Sequence, residues 1–264
     1  MELFNSFTHR EILFLGLALL ALLMFVVFLV RYLKDKRTSN KNRMQNAIVL
    51  LAFALGLFFF QRYLPQREYV FAYSDIPEYR DSGSYTLNDG YPFFHDEIKS
   101  WQEGELVFSD LDKLGRCDAA YAKLTAANLP EEERGEIDSI KPSGYQNAKY
   151  DDLIEDGFLY NRCHLIAFEL CGENANEKNL ITGTRYMNLN MTMVENMVSS
   201  YIHRTDNDVY YRVTPIFLEN ELVARGVLIE AESEDGVIQY CEYFYNVQPG
   251  IEINYATGES ERGK

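Results

Sequence analysis

The chain has 264 residues, of which 40 are acidic and 25 are lysine or arginine, so its formal net charge is −15. This length allows one sizeable domain with accessory segments. The acidic balance argues against a broad basic surface for nucleic acid, because phosphate neutralisation supplies most non-specific affinity. No two of the four cysteines have CxxC spacing, which argues against a zinc site.

Two apolar runs near the start predict a pair of membrane-spanning helices. Ile12–Val30 contains 19 residues without a charged or polar side chain, and as a helix it spans roughly 28 Å, close to the hydrocarbon thickness of a bilayer. Ala47–Phe60 is shorter and reaches a spanning length when residues 61–64 are added. A cleaved signal peptide is the alternative for the first run, but that run is long for one and no small-residue cleavage site follows it.

The segment between the two runs predicts the topology. It has one acid, Asp35, against six basic residues: Arg31, Lys34, Lys36, Arg37, Lys41 and Arg43. Because positive loops stay in the cytoplasm, we expect a hairpin anchored in the cell membrane, with everything after about Pro65 extracytoplasmic. The expected organisation is a hairpin over 1–64, a connector over 65–104 and an outer domain over 105–264.

The outer part has the pattern of an α+β fold with a mostly antiparallel sheet and a few helices. The residues after Tyr255 are polar and predict a frayed tail. Strands are predicted over 105–109, 136–141, 158–163, 209–217, 221–231 and 237–247, and helices over 118–128 and 188–202.

All four cysteines, Cys117, Cys163, Cys171 and Cys241, lie in the outer part. Disulfides are permitted outside the cell. Four cysteines allow three pairings, and the sequence does not choose between them. Buried free thiols are the alternative.

One constellation in the second half has the residue types that phosphodiester hydrolysis needs. That reaction requires an activated water and stabilisation of charge on the phosphorane. His164 suits the activation of water near neutral pH. Mg²⁺ needs only one or two protein oxygens, which an asparagine such as Asn188 can supply. Glu195 lies seven residues after Asn188, so a helix places both on one face.

Spacing alone favours structural roles for these residues. A histidine at the end of a strand is more often part of the core, and an asparagine at the start of a helix is most often its N-cap. Glu195 could be an ordinary solvated helix residue.

A family resemblance reverses this balance. Asn161-Arg162-Cys163-His164 resembles the Asp-Arg-Gly-His signature of the DNA/RNA non-specific endonucleases, the ββα-metal or His-Me finger class. Further blocks follow in order at Asn179–Asn188, Tyr211–Phe217 and Tyr245–Gly250. The resemblance covers about residues 105–260 and is greatest to membrane-bound DNA-entry nucleases and secreted DNases of Gram-positive bacteria.

The resemblance implies a ββα-metal core and a role for each matching residue. His164 would be the general base, Asn188 the direct ligand of Mg²⁺ or Mn²⁺, and Glu195 a support of the metal-bound water. Asn179 and Arg162 would assist around the phosphate. Products would carry 5′-phosphates.

The chain departs from the family pattern in three places. Asn161 and Cys163 replace the aspartate and glycine of the signature. The segment Leu189–Val194 lacks the usual glycine turn and Pro-Phe pair and is one residue shorter. Asn190 is an alternative ligand if the register shifts by two residues.

Charge is locally more balanced than in the chain as a whole. Residues 160–212 contain five basic and six acidic residues, whereas residues 65–264 carry 17 basic residues against 37 acids. Lys178 and Arg185 are the candidates for substrate binding. We expect weak, salt-sensitive binding of nucleic acid.

The sequence therefore predicts a membrane-anchored, metal-dependent endonuclease that cleaves DNA, and RNA with it, with little sequence specificity. The alternative is a degenerate relative that binds nucleic acid or a surface partner without cleaving. A nuclease toxin is a third interpretation, against which the two-helix anchor argues. Oligomeric state and the preference between DNA and RNA stay open.

Overall fold

The computed structural model describes residues 9–63, 71–94 and 100–263. It divides into two compact units, Met1–Glu68 and Tyr69–Lys264. Each unit has its own packing and is described separately below.

The first unit is a hairpin of two long helices, α1 (His9–Asp35) and α2 (Thr38–Tyr63). The two-residue connection turns at Lys36, whose φ is +49°. Four alanines are buried where the helices meet, and such small side chains let helices approach closely in a membrane: Ala18, Ala21, Ala47 and Ala54. By length and composition both helices could cross a membrane, over Gly16–Asp35 with mean hydropathy 2.5 and Thr38–Phe59 with mean hydropathy 1.3.

The second unit is built from two short sheets, a larger sheet and two helices. The helices are α3 (Phe168–Cys171) and α4 (Arg185–Thr205). The strands are β1 (Ser84–Thr86), β2 (Leu106–Phe108), β3 (Ala120–Leu124), β4 (Tyr160–His164), β5 (Leu180–Thr184), β6 (Val209–Ile216), β7 (Gly226–Ser233), β8 (Gln239–Tyr245), β9 (Ile251–Ile253) and β10 (Ser260–Arg262).

The larger sheet has six antiparallel strands in the order β1-β8-β7-β6-β3-β2. One of its faces forms the main core with α4, through residues such as Tyr211, Ile229 and Val198. The other face packs against the segment before β2, through Ile76 and Leu87. The sheet is therefore covered on both faces, and α4 packs against one of them.

The small sheet of β4 and β5 leads directly into α4. Its antiparallel register pairs His164 with Leu180 and Tyr160 with Thr184. A Cβ at Gly183 would come within 2.3 Å of Cys163 Sγ and 2.7 Å of Met187 Cε. Glycine at this position therefore makes room for a cysteine where the family signature has glycine.

Asn246 fastens this small sheet to the large one. Its side-chain oxygen accepts from Thr184 N at 2.8 Å, and its amide nitrogen donates to the carbonyls of Thr182 and Ala224 at 2.9 Å each. The residue is fully buried. These bonds fix the start of α4 relative to the scaffold, because Thr184 is the N-cap of that helix.

The α+β class predicted from the sequence is confirmed, as are the helix over 188–202 and the strands of the β6–β8 meander. Three local predictions are wrong. The alanine-rich segment 118–128 forms β3, because fully buried Ala120 and Ala122 pair with both β2 and β6 and this pairing overrides helix propensity. Residues 136–141 form no strand. The tail is ordered, since β10 pairs with β9.

All four cysteines are buried free thiols. The structure therefore agrees with the alternative of buried thiols and not with disulfides.

Candidate active site

His164 ends β4 and is almost fully buried. Its Nε2 lies 2.8 Å from the carbonyl oxygen of Asn174, and its Nδ1 lies 3.3 Å from Nη2 of Arg134. A carbonyl can only accept and a guanidinium can only donate. These partners therefore assign the proton of the neutral ring to Nε2 and leave the lone pair on Nδ1.

The surroundings of His164 favour the neutral ring. Burial lowers the pKa of His164 below its ordinary value, and the nearby Arg134 guanidinium lowers it further, although the bond to Asn174 opposes them. A histidine with a lowered pKa is unprotonated near neutral pH. It can then take a proton through Nδ1, as a general base does.

Asn188 lies in the first turn of α4 but does not cap the helix. The N-cap is Thr184, whose hydroxyl accepts from Met187 N at 3.0 Å. The capping role considered for Asn188 is therefore wrong. Asn188 lines a cavity instead, and within the described part of the chain its side-chain amide has no hydrogen bond.

Glu195 follows Asn188 by two turns, and α4 is continuous between them. Burial, with a further contribution from the charge of Glu169, raises the pKa of Glu195 to about 8 against the opposing charge of Arg134. Glu169 and Arg134 also act on the pKa of His164. The shorter segment before Glu195 thus leaves the helix unbroken and keeps this carboxylate in the same electrostatic cluster as His164.

We predict that Glu195→Gln stabilises the metal-free protein. As pH rises above about 4.5, Glu195 ionises in the unfolded chain but stays protonated in the folded chain until about pH 8. Wild-type stability therefore falls across this window, whereas glutamine has no proton to lose. Chemical unfolding in EDTA should show a gain of about 2–4 kcal/mol at pH 8 and a much smaller one at pH 5.

The control for this measurement is Glu252→Gln, at an exposed position on β9. It should leave the unfolding free energy unchanged at both pH values. A Glu195→Gln variant no more stable than wild type at pH 8 would mean that the carboxylate is well solvated.

A cavity of about 830 Å³ opens beside the small sheet and the start of α4. Its lining includes four cations and two acids: Arg134, Lys141, Arg162, Arg185, Asp138 and Asp156. The wall is therefore net positive inside a strongly acidic unit. A local field of this kind attracts an anion such as a phosphate.

The two motif arginines on this wall have protein partners. Arg162 donates to Ile140 O at 2.6 Å, to Asp138 Oδ1 at 3.1 Å and to Tyr145 OH at 3.2 Å. These contacts hold the irregular segment 138–145 that forms one side of the cavity. Arg185 pairs with Asp156 at 2.7 Å, while its buried Nε has no partner within the described residues.

His164 and Glu195 are not among the residues that line the cavity, and His164 meets it through Arg134. Three other predicted residues also lie away from the lining. Asn179 is fully buried, accepts from Ile166 N and donates to Ile166 O, both at 2.9 Å. It thereby holds the backbone two residues after His164 in place. Lys178 pairs with Asp110 at 2.6 Å. Asn190 donates to Tyr186 O at 2.7 Å, so its amide is engaged within the helix.

Arg134 and Asn174 are the site residues that sequence reasoning missed. Arg134 follows three glutamates in an irregular segment 30 residues before His164, and nothing local marks it. The orientation of the imidazole by Asn174 depends on a backbone carbonyl, which carries no sequence signal.

The oxygen donors present fit a hard divalent cation. The side-chain oxygen of Asn161 is buried without a hydrogen-bond partner in the described chain, and both Asn161 and Asn188 line the cavity. The described residues contain no group of three His, Cys, Asp or Glu side chains able to hold a metal. Amide oxygens in small number suit Mg²⁺ or Mn²⁺, which keep several waters.

Comparison with known proteins identifies the family. The model of the DNA/RNA non-specific endonuclease family matches residues 96–235. The chain belongs to this family of endonucleases. The unit from β4 to α4 carries His164, the last residue of the signature, and Asn188, the asparagine that the resemblance matches. The family and the fold class predicted from the sequence are therefore confirmed.

Individual relatives agree with this assignment. A deoxyribonuclease from Streptococcus dysgalactiae subsp. equisimilis is 38% identical over 106 residues, which are 38% of this chain and 32% of the relative. The match thus spans about a third of that relative's length. The structure of NucA from Streptococcus agalactiae with magnesium bound has a TM-score of 0.60 at 24% identity, covering 69% of this chain and 89% of NucA. The Sda1 nuclease with bound zinc has a TM-score of 0.50 at 28% identity, covering 60% of this chain and 81% of Sda1.

Proposed function

We propose that this protein is a membrane-anchored endonuclease that hydrolyses phosphodiester bonds of DNA and RNA with little sequence specificity. The observation that carries the proposal is His164, whose bond to Asn174 O leaves Nδ1 unprotonated. The ring stands at the end of β4 next to a cavity with a cationic wall. Family membership supports the same reaction class.

In this mechanism Arg134 turns from His164 Nδ1 to the phosphate, and the freed Nδ1 lone pair takes the proton of the attacking water. The bond from Nε2 to the Asn174 carbonyl holds the ring and stabilises the imidazolium that forms. Burial would disfavour that charge, and the carboxylate of Glu169 partly offsets the cost, since it favours the protonated ring.

Arg134 is the residue best placed to bind the scissile phosphate. Its guanidinium lies 3.3 Å from His164 Nδ1 and lines the cavity. Within the described residues it has no carboxylate partner, so its charge is available to an anion. A planar guanidinium suits two phosphate oxygens. Arg185, with its unpaired Nε, would bind a neighbouring phosphate.

Asn188 and Asn161 would hold the divalent metal, with Glu195 orienting its waters. When bound, Mg²⁺ or Mn²⁺ would neutralise charge on the phosphorane and assist the leaving oxygen. Arg162 and Asn179 would act as positioning residues, because their nitrogens are bonded to backbone around the cavity and behind His164. Their predicted contact with phosphate stays a prediction.

The helical hairpin would anchor the enzyme in a lipid bilayer with the nuclease unit extracytoplasmic. Supporting this, the outer faces of α1 and α2 expose large apolar side chains, including Leu19, Leu23, Val49 and Phe53. Exposed apolar surface of this extent suits lipid rather than water. The basic residues between the runs support a cytoplasmic connection.

Cleavage of plasmid DNA and of structured RNA by the full-length chain in detergent tests the proposal. We expect both substrates to be cut with Mg²⁺ or Mn²⁺ and neither with EDTA, because an uncompensated phosphorane charge raises the barrier. Activity should return when the metal is restored. Absence of cleavage under all metal conditions would instead favour the non-cleaving relative.

A further inference from the structure

Phe158 is an exposed aromatic side chain on the wall of the cavity. It retains 39% of its surface exposure, and it shares the lining with Asn161, Arg185 and Asn188. The cavity is otherwise mainly polar and charged. Exposed aromatic rings are common in the walls of pockets whose ligand carries a flat ring.

The backbone on both sides of Phe158 is held in place. Phe158 forms an antiparallel bridge with Lys149. Tyr150 N donates to Gly157 O at 2.7 Å, and Leu159 N donates to Ala148 O at 3.0 Å. The carbonyl of Leu159 in turn accepts from Arg185 N at 2.8 Å. The backbone of Phe158 is therefore held relative to the first residue of α4, and its side chain lines the same cavity as the proposed phosphate and metal ligands.

A cation accompanies the ring. The ammonium of Lys149 lies 4.1 Å from the ring centroid of Phe158, which is a close cation–π contact. The side chain of Lys149 is otherwise exposed. The ammonium covers one face of the ring, so a base would stack on the opposite face while the positive charge attracts the phosphate of the same nucleotide.

We propose that Phe158 and Lys149 form a stacking platform for an unpaired nucleobase next to the scissile phosphate. This inference rests on the proposed function and adds how the substrate is held. Stacking is tolerant of sequence because every base has a π face. It also depends little on salt, which makes it an effective contact for a unit whose net charge repels nucleic acid.

Binding of two strands of about ten nucleotides, one normal and one with abasic sites, tests the platform. The full-length chain in detergent would carry His164→Ala, so that the strands stay intact. We expect the normal strand to bind about tenfold more tightly than the abasic strand. Adding Phe158→Leu should remove this preference, a tenfold change that equals about 1.4 kcal/mol.

Two further variants control the result. Phe158→Tyr keeps a ring and should keep the preference, whereas Tyr85→Leu removes an exposed ring on β1 outside the cavity lining and should also keep it. An equal loss of affinity for both strands, a retained tenfold preference in Phe158→Leu, or no binding of either strand would overturn the platform.

Plasmid cleavage by the wild type, measured in parallel, separates the two proposals. If the wild type cuts but Phe158→Leu keeps the base preference, the platform is wrong and the nuclease proposal stands. If the wild type fails to cut while the preference depends on Phe158, the chain binds nucleic acid without cleaving it.

Discussion

Replacing His164 with alanine should lower the rate of phosphodiester cleavage by about 10³-fold, because general-base catalysis contributes roughly 10²–10⁴. The variant removes the imidazole whose Nδ1 lies 3.3 Å from the Arg134 guanidinium on the cavity wall. The measurement is single-turnover cleavage of a labelled strand with saturating Mg²⁺. Added imidazole should restore part of the rate, which a purely structural loss would not allow.

The pH profile of the wild type gives an independent check on the same residue. The base works only when unprotonated, and burial lowers the pKa of His164 below its ordinary value. The rate should therefore rise with pH from the acid side and level off before the pH at which an exposed histidine would lose its proton. His203→Ala on the exposed end of α4 is the matched control and should behave as wild type. A His164→Ala rate within threefold of wild type would exclude the general-base role.

Replacing Asn188 with alanine should raise the Mg²⁺ concentration for half-maximal cleavage by about 10–100-fold, because a direct oxygen ligand is lost. Thermal stability should change little, since the helix is capped by Thr184. Asn188→Asp keeps an oxygen donor and should retain tight metal binding. A metal titration of cleavage for each variant gives the comparison.

Asn196→Ala is the control on the same helix, at an exposed position directly after Glu195 and outside the cavity lining. It should leave the titration unchanged. An unchanged titration in Asn188→Ala itself would shift the ligand assignment to Asn161, whose buried oxygen has no partner among the described residues.

The elements that carry strong periodicity could be predicted from the sequence. The apolar spacing of Met191, Val194 and Val198 marks α4, and all three are buried in the core. The segment around Ala120 and Ala122 could not be assigned in this way, because its strand state follows from pairing with β2 and β6. The same is true of the tail, whose order comes from pairing with β9.

The residues of the candidate site likewise divide into those that the sequence predicts and those that depend on the folded structure. His164 and Asn188 could be assigned to one site because the family resemblance links them. Their spacing in the sequence alone does not. Arg134 could not be predicted, since it reaches His164 through an irregular segment. The raised pKa of Glu195 likewise depends on burial and on Glu169, which only the packed helix provides.

The four buried thiols have a consequence for where the enzyme can work. Burial raises the pKa of each of Cys117, Cys163, Cys171 and Cys241, so all four are poor nucleophiles. The fold therefore needs no oxidant to mature and has no cross-link for a reductant to open. A fold built in this way has no disulfide to lose in surroundings rich in thiols and none to form in aerated medium.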